Sequence, residues 1–309
     1  MKISQTLIKE FSNSENPQIF KEKRENKTRK TNKSFSLGLY LDCLLFNPEK
    51  CEDEFAISDI ELSDKIKDIY DSLIEDGIYV CDNRLLEKAR FFNFGRSDWK
   101  DETILKKINE NNIGEKYLKF CFENKNKIVI NTEFKNKADC IIDKLLSNEI
   151  FNKYLFVKGD DIESFSQVVL ETSINDIPVV IKPDLFIVNH KTKKIKLIDL
   201  KSSRNAYRFK EDVIKFKYGL QMSFYSDVLK IIYDGYEIEE HINIVGDTSN
   251  CNVYLYKYNE YDLNIEKYGT KWKKGWIYYL NELNWHITNN VWNTTREQKE
   301  NGFINLNIY

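Results

Sequence analysis

Apolar residues change their spacing near residue 165. Before that point they recur at helical intervals in short blocks. Leu7, Ile8 and Phe11 follow Ser4, an N-cap candidate for a short helix over 1–12. The dense run SFSLGLYLDCLLF at 34–46 predicts a buried helix with one acid, Asp42, inside it. Short helical patterns alternate with turns from Glu61 to about Phe122, and 132–158 reads as helical around Ala138, Ile141, Ile142, Leu145 and Leu146. After residue 165 come SQVVLETS, PVVIKPDLFIV and KIKLIDLKS, rich in Val, Ile and Leu. The turn-formers Asn175-Asp176 and His190-Lys191-Thr192-Lys193 separate them, which predicts three antiparallel strands. A helix over about 212–233 follows, then strands near 239–246 and 251–257, then a long aromatic helix over about 262–285. This order argues for an α/β (α+β) core: a central mixed sheet flanked by helices, behind an N-terminal helical region.

The strand pattern carries the first candidate chemistry. If the hairpin over 178–203 has a symmetric, even-numbered loop, Asp184 faces Asp199, Lys182 faces Lys201, and Phe186 faces Leu197. A tight turn at Asn175-Asp176 then sets Glu171 opposite Val180, on the face of Asp184. Carboxylates directly opposed on a half-buried face repel and are costly to desolvate. Two compensations fit. One is a hard divalent cation, Mg²⁺ or Mn²⁺, held by oxygen ligands. The other is a salt-bridge network with Lys182 and Lys201. In the first case the lysine two residues beyond Asp199 is placed to act on a water in metal-assisted phosphodiester hydrolysis.

Composition narrows the field. The 309 residues carry Lys+Arg 47 against Asp+Glu 49, so any nucleic-acid surface must be local. Basic stretches at 21–33, 191–196 and 268–274 are candidates for it, or ordinary solvated surface. With 41% hydrophobic residues and only 11 Gly and 4 Pro, the chain is neither fibrous nor largely disordered. The six cysteines form no C-x-x-C pair, so zinc ribbons and thioredoxin chemistry find no support. No apolar run reaches a membrane span and the N-terminus has no signal-peptide core, which predicts a cytoplasmic chain without membrane contact.

Pro183-Asp184, a hairpin, and Asp199-Leu200-Lys201 resemble the PD-(D/E)XK nuclease superfamily, whose restriction-endonuclease-like core matches the predicted element order. Gln221-Met222-Ser223-Phe224-Tyr225 resembles the Q-x-x-x-Y motif of its RecB-like branch, with Gln221 and Tyr225 on one helix face. Gly38-Leu39-Tyr40-Leu41-Asp42, then Asn47-Pro48-Glu49, and later Glu171-Thr172-Ser173 resemble segments of exodeoxyribonuclease VIII (RecE-like) enzymes. Lys127 to Leu146 resembles their helical lead-in, so the likeness runs over about 34–285. One departure is Asp42, which stands at that family's histidine position. No cysteine follows Cys251, so the iron–sulfur branch is set aside.

The resemblance implies a Mg²⁺-dependent exodeoxyribonuclease that digests linear double-stranded DNA, 5′ to 3′, in phage-type recombination. It implies a single-strand annealing protein as partner and, for some members, a homo-oligomeric ring. It assigns Asp184, Asp199, the Leu200 carbonyl and Asp42 to the metal. Lys201 would act on the attacking water, Glu171 would support the metal site, and Gln221 and Tyr225 would position DNA. Ser202, Ser203, Arg204 and Lys182 would meet phosphate. Alternatives are an endonuclease of the same fold, or a DNA-end-binding protein without activity. The expected layout is an N-terminal helix and basic arm (1–33), a nuclease domain (34–286, with its catalytic sheet from 161) and a tail (287–309). Trp272, Trp276, Trp285 and Trp292, with Tyr278 and Tyr279, are expected to pack the last helix and tail rather than stack on bases.

Overall fold

The Ser4 hydroxyl accepts a hydrogen bond from the Leu7 N–H and caps the helix Gln5–Ser12, which buries Leu7 and Ile8. The computed structural model describes residues 1–26, 33–271 and 273–304. Just ahead of that helix lies a short strand, β1 (Ile3–Ser4). The polar segment expected as a loop or arm holds a second helix, Pro17–Glu25. Asn16 caps it, and Pro17 sits in its first turn, where the missing N–H costs nothing. Residues 27–32 of the basic stretch, and Trp272, lie outside the described residues. The apolar run forms the helix Lys33–Phe46 as expected.

The chain divides into two units, Asn47–Asn136 and the remainder, Met1–Phe46 with Lys137–Tyr309. The smaller unit pairs β2 (Phe55–Ile57) with β3 (Ile128–Ile130) in parallel. The helices Asp64–Glu75, Asn83–Phe91, Asp101–Ile108 and Ile113–Glu123 close its core over Ile69, Tyr70, Leu73, Leu85, Ile104 and Leu118.

The larger unit holds two sheets. The strands are β4 (Ile162–Ser166), β5 (Leu170–Ile174), β6 (Ile177–Ile181), β7 (Leu185–Asn189), β8 (Lys194–Ser203), β9 (Glu237–Asp247) and β10 (Val253–Lys257). A three-stranded sheet has the order β1-β6-β5, and a five-stranded sheet has the order β10-β9-β8-β7-β4. The expected single hairpin over 178–203 is therefore a corner between two sheets. Asn175 and Asp176, both at positive φ, make the tight β5–β6 turn. The β7–β8 pairing has the expected register, with Leu185 opposite Ile198 and Phe186 opposite Leu197. Between β6 and β7, Pro183 lacks an N–H to continue a ladder, and Lys182–Asp184 carry the chain from one sheet to the other.

β8 and β9 run parallel, joined by a helical crossover. That crossover is two helices, Phe209–Phe216 and Tyr218–Ile232, because Lys217 takes a left-handed conformation between them. The expected helix over 262–285 is likewise two, Glu260–Tyr268 and Trp276–Asn289. Gly269 breaks it at φ 86°, where a Cβ would lie 2.1 Å from the Lys273 carbonyl oxygen. The main core includes Ile8, Val179, Phe186, Leu197, Phe224, Val228, Trp276 and Leu280. Trp276 is buried with its indole N–H on Ser223, and Trp292 stacks on Phe20 and His286, so both pack as expected. Among the described residues no helix is long and apolar enough to cross a membrane.

Candidate active site

Asp184 is the last residue of the corner between the sheets, and β7 begins immediately after it. Its carboxylate is held from two sides. The Leu200 N–H donates to Oδ2 at 2.9 Å, and the Gln167 amide donates to Oδ1 at 3.0 Å. Gln167 also donates its backbone N–H to the Asp184 carbonyl at 3.0 Å, from a left-handed conformation with φ 54°.

Asp199 lies in the middle of β8 and is 1% exposed. Gln221, near the start of the helix Tyr218–Ile232, donates to its Oδ1 at 2.8 Å. Asn243, its register partner on β9, donates to Oδ2 at 2.8 Å. Lys201, two residues on and therefore on the same sheet face, reaches the same Oδ2 at 2.5 Å. The Lys201 ammonium also donates to the Leu200 carbonyl at 3.3 Å and lies 5.2 Å from the centre of the Tyr218 ring. One helical turn beyond Gln221, Tyr225 is buried and donates to the Lys182 carbonyl at 3.4 Å. Tyr258 donates to Asn243 Oδ1 at 2.6 Å, which fixes the orientation of the amide that meets Asp199.

The electrostatics follow from this crowding. Burial pushes Asp199 up to about 7, with Lys201 acting in the opposite sense and neighbouring Asp184 in the same one. Asp42, on the helix Lys33–Phe46, is pushed up to about 8 by burial and then by the charges of Asp184 and Asp199. Burial lowers the Lys201 pKa, but Asp199, Asp184 and Asp42 outweigh it and hold the ammonium charged. Burial, reinforced by Asp199, also pushes the Tyr225 and Tyr258 hydroxyls well above their ordinary value.

The donor set can be tested against a hard cation. Among the described residues no three His, Cys, Asp or Glu side chains converge on one metal-sized point. A magnesium site does not require three, since one or two carboxylates suffice when water and substrate phosphate complete the shell. Each carboxylate has about four lone-pair positions. The contacts above engage one on each oxygen of Asp184, one on Asp199 Oδ1 and two on Asp199 Oδ2. Both aspartates thus retain capacity, the Leu200 carbonyl adds a third oxygen, and the residues fit such an ion.

The structure brings Asp42, Asp184, Asp199, Leu200, Lys201, Gln221 and Tyr225 together. Other candidates stand differently. Glu171 faces Val180 as expected, but its half-exposed carboxylate pairs with Lys2. Lys182 lies at the sheet corner, outside the ladder that was to oppose it to Lys201, and its charge is felt at Asp42. Ser203 is buried and its hydroxyl donates to Asp212 at 2.6 Å, so it is committed within the fold. Ser202 lies on β8 opposite Gly246, and Arg204 is exposed just beyond the strand. Several basic side chains of the other candidate stretches are paired: Arg24 with Glu10, Lys194 with Glu239, Lys196 with Glu240 and Lys273 with Glu266. Sequence reasoning gave no role to Gln167, Asn243, Tyr218 or Tyr258. Only Asn243 left a local signal, as a lone amide inside the apolar run HINIV.

The signature of a family described as "PDDEXK-like domain of unknown function (DUF3799)" matches residues 4–269. No curated protein matches the chain. A crystal structure described as that of a "Putative exonuclease" from Eubacterium rectale is similar at TM-score 0.49 and 10% identity, covering 100% of this chain and 91% of that one.

Proposed function

The chain belongs to the PDDEXK-like DUF3799 family and carries the PD-(D/E)XK nuclease fold, and from that premise we propose that it is a divalent-metal-dependent deoxyribonuclease. Its finer assignment is an exodeoxyribonuclease of the RecE-like kind that digests linear double-stranded DNA from its ends, 5′ to 3′. The order of motifs from Gly38 to Tyr225 supports that assignment. The observation that carries the proposal is the Asp199 carboxylate, 1% exposed yet gripped by Gln221, Asn243 and Lys201 beside Asp184. A buried carboxylate whose proton affinity is raised by burial, beside a second acid and a lysine, is the kind of group that clusters at functional sites.

In this reading Asp184, Asp199 and the Leu200 carbonyl would hold Mg²⁺ or Mn²⁺, with Asp42 beside them as a further carboxylate of the metal site. When bound, the cation supplies charge neutralisation at the phosphoryl group. Gln221 and Asn243 lock the Asp199 rotamer, and the Leu200 N–H and Gln167 lock that of Asp184. The Lys201 ammonium, between Asp199 and the Leu200 carbonyl, orients the attacking water and steadies charge on the phosphate oxygens. The exposed Arg204 contacts the strand, and Tyr225, buried with its hydroxyl on the Lys182 carbonyl, acts on it by positioning the corner that presents Asp184. A single-strand annealing protein would use the product.

The test sets linear and closed-circular duplex DNA against the protein with Mg²⁺, Mn²⁺ or EDTA. Metal-dependent loss of linear DNA alone is expected, and end-labelling then gives the polarity. Cutting of the circle would make the protein an endonuclease. No digestion of either, with binding intact, would make it an end-binding protein. The Lys201–Asp199 ion pair and the carboxyl of Asp42 are the features that would favour that second reading.

A further inference from the structure

β8 ends at Ser203, and the chain turns at once into a short 3-10 turn, Ala206–Arg208. Its middle residue, Tyr207, is 77% exposed. An exposed tyrosine on a loose loop would mean little. This one stands on a fixed base. Ala206 is fully buried and donates its N–H to Asp247 at 3.0 Å. The Tyr256 hydroxyl donates to the Ala206 carbonyl at 2.6 Å and lies 3.2 Å from that of Tyr207. The Arg208 N–H closes the turn on Asn205 at 3.0 Å. The backbone is therefore ordered before any ligand arrives, while the ring is left in solvent. Tyr254, on the edge strand β10, meets the Tyr207 ring edge-on at 6.5 Å between centroids and steadies it from one side.

The segment is basic. Residues 201–217 hold Arg204, Arg208, Lys210 and Lys215, besides Lys201 on Asp199 and Lys217 on Ser12, against two acids, Glu211 and Asp212, in a chain whose net charge is -2. Asp212 is taken up by Ser203. Glu211 lies 3.7 Å from Arg208 with both side chains largely exposed, a pairing worth little. Tyr207 follows Lys201 by six residues, so their Cα atoms lie no more than about 20 Å apart. A rigid aromatic face on a basic segment, within a few nucleotides of the candidate site, matches the chemistry that holds unpaired bases.

We propose that Tyr207, backed by Tyr254 and flanked by Arg204 and Arg208, is a stacking platform for an unpaired nucleotide of a DNA strand at the active site. The inference rests on the nuclease reading for the identity of its ligand.

Fluorescence anisotropy in EDTA, with the full chain, tests it on a labelled oligothymidylate of about 12 nucleotides and on a blunt duplex of equal length. Tyr207→Ala is expected to weaken oligothymidylate binding about tenfold. Tyr207→Trp should retain it, and duplex binding should change less than about threefold. The platform is overturned if Tyr207→Ala binds the oligonucleotide as tightly as wild type, if Tyr207→Trp loses as much as Tyr207→Ala, or if wild type does not bind it at all. Metal-dependent digestion of linear duplex, assayed in parallel on wild type, separates the two readings. Digestion without a Tyr207 effect sinks the platform alone. A Tyr207 effect without digestion sinks the nuclease reading and leaves a strand-binding surface.

Discussion

Asn243 has no exposed surface and carries two obligations at once. Its amide nitrogen donates to Asp199 Oδ2 at 2.8 Å, and its carbonyl oxygen accepts from Tyr258 at 2.6 Å. Asn243→Ala removes a hydrogen bond to a charged group, about 1.5–3 kcal/mol, and strands a half-buried tyrosine hydroxyl, about 1–2 kcal/mol more. The expected loss of stability is about 3–5 kcal/mol. Tyr258→Phe keeps the ring and leaves only the Asn243 carbonyl unsatisfied, at about 1–2 kcal/mol. In the double variant no hydroxyl remains to be stranded, so its cost should fall short of the sum by about 1–2 kcal/mol. Urea unfolding of the four proteins in EDTA, followed by circular dichroism and tryptophan fluorescence, measures this without linkage to metal. Costs that add to within about 0.5 kcal/mol would refute the relay from Tyr258 through Asn243 to Asp199. So would a cost below about 1 kcal/mol for Asn243→Ala.

Lys201→Met should lower DNA hydrolysis about 10²- to 10⁴-fold in a kinetic assay while the circular dichroism spectrum stays that of wild type. In metal-free protein, Asp42 keeps a proton up to about 8 that the unfolded chain releases near its ordinary carboxylate value. Stability therefore falls as pH rises through that window, and Asn at position 42 (Asp42→Asn) should raise the melting temperature at pH 9 in EDTA. His241 is held down to about 4, chiefly by burial and then by Lys230 and Lys257, and lies 3.0 Å from the Ser226 hydroxyl. The unfolded chain takes up that proton near pH 6.5, so stability falls by up to about 3 kcal/mol as pH drops from 6.5 to 4. His241→Gln should flatten that part of the pH–stability curve. A Cβ on Gly114 would lie 1.7 Å from the hydroxyl of fully buried Tyr70, so Gly114→Ala should cost about 1–3 kcal/mol by urea denaturation.

What could be read from the sequence was what local pattern decides. Ser4 announced a cap, Asn175-Asp176 a tight turn, and alternation in PDLFIV and IKLIDLK set the register from Leu185–Ile198 to Asn189–Lys194. The sheet corner at Lys182–Asp184 was not legible, because Pro183 marks a break in a ladder without saying which sheet the chain joins next. Lys217 gave no sign of its left-handed conformation, which glycine would have signalled. The helix Pro17–Glu25 was hidden by its charges, since its apolar face is little more than Phe20. Within the site, Asp199, Lys201, Gln221 and Tyr225 share a strand or a helix at fixed spacings and were visible. Gln167, Tyr218 and Tyr258 reach it from separate elements, and only the fold could place them there.

The charge balance of the site shows why the N-terminal segment belongs to its architecture. Asp42, Asp184 and Asp199 crowd one region, and Lys201 alone cannot neutralise them. Two further cations come from distant parts of the chain. Lys182 acts on Asp42 from the corner between the sheets. Lys9, on the first helix, lies 5.9 Å from the centre of the Tyr218 ring, while Lys201 lies 5.2 Å from it. Burial and the repulsion of Lys201 both lower the Lys9 pKa, so it is close enough to feel the site. β1 anchors this arrangement. By pairing in parallel with β6 it fixes the helix that carries Lys9, and it braces the strand from which the chain turns to present Asp184. The acids thus depend on the first residues of the chain twice, for the position of one carboxylate and for part of the positive charge that makes a cluster of three tolerable.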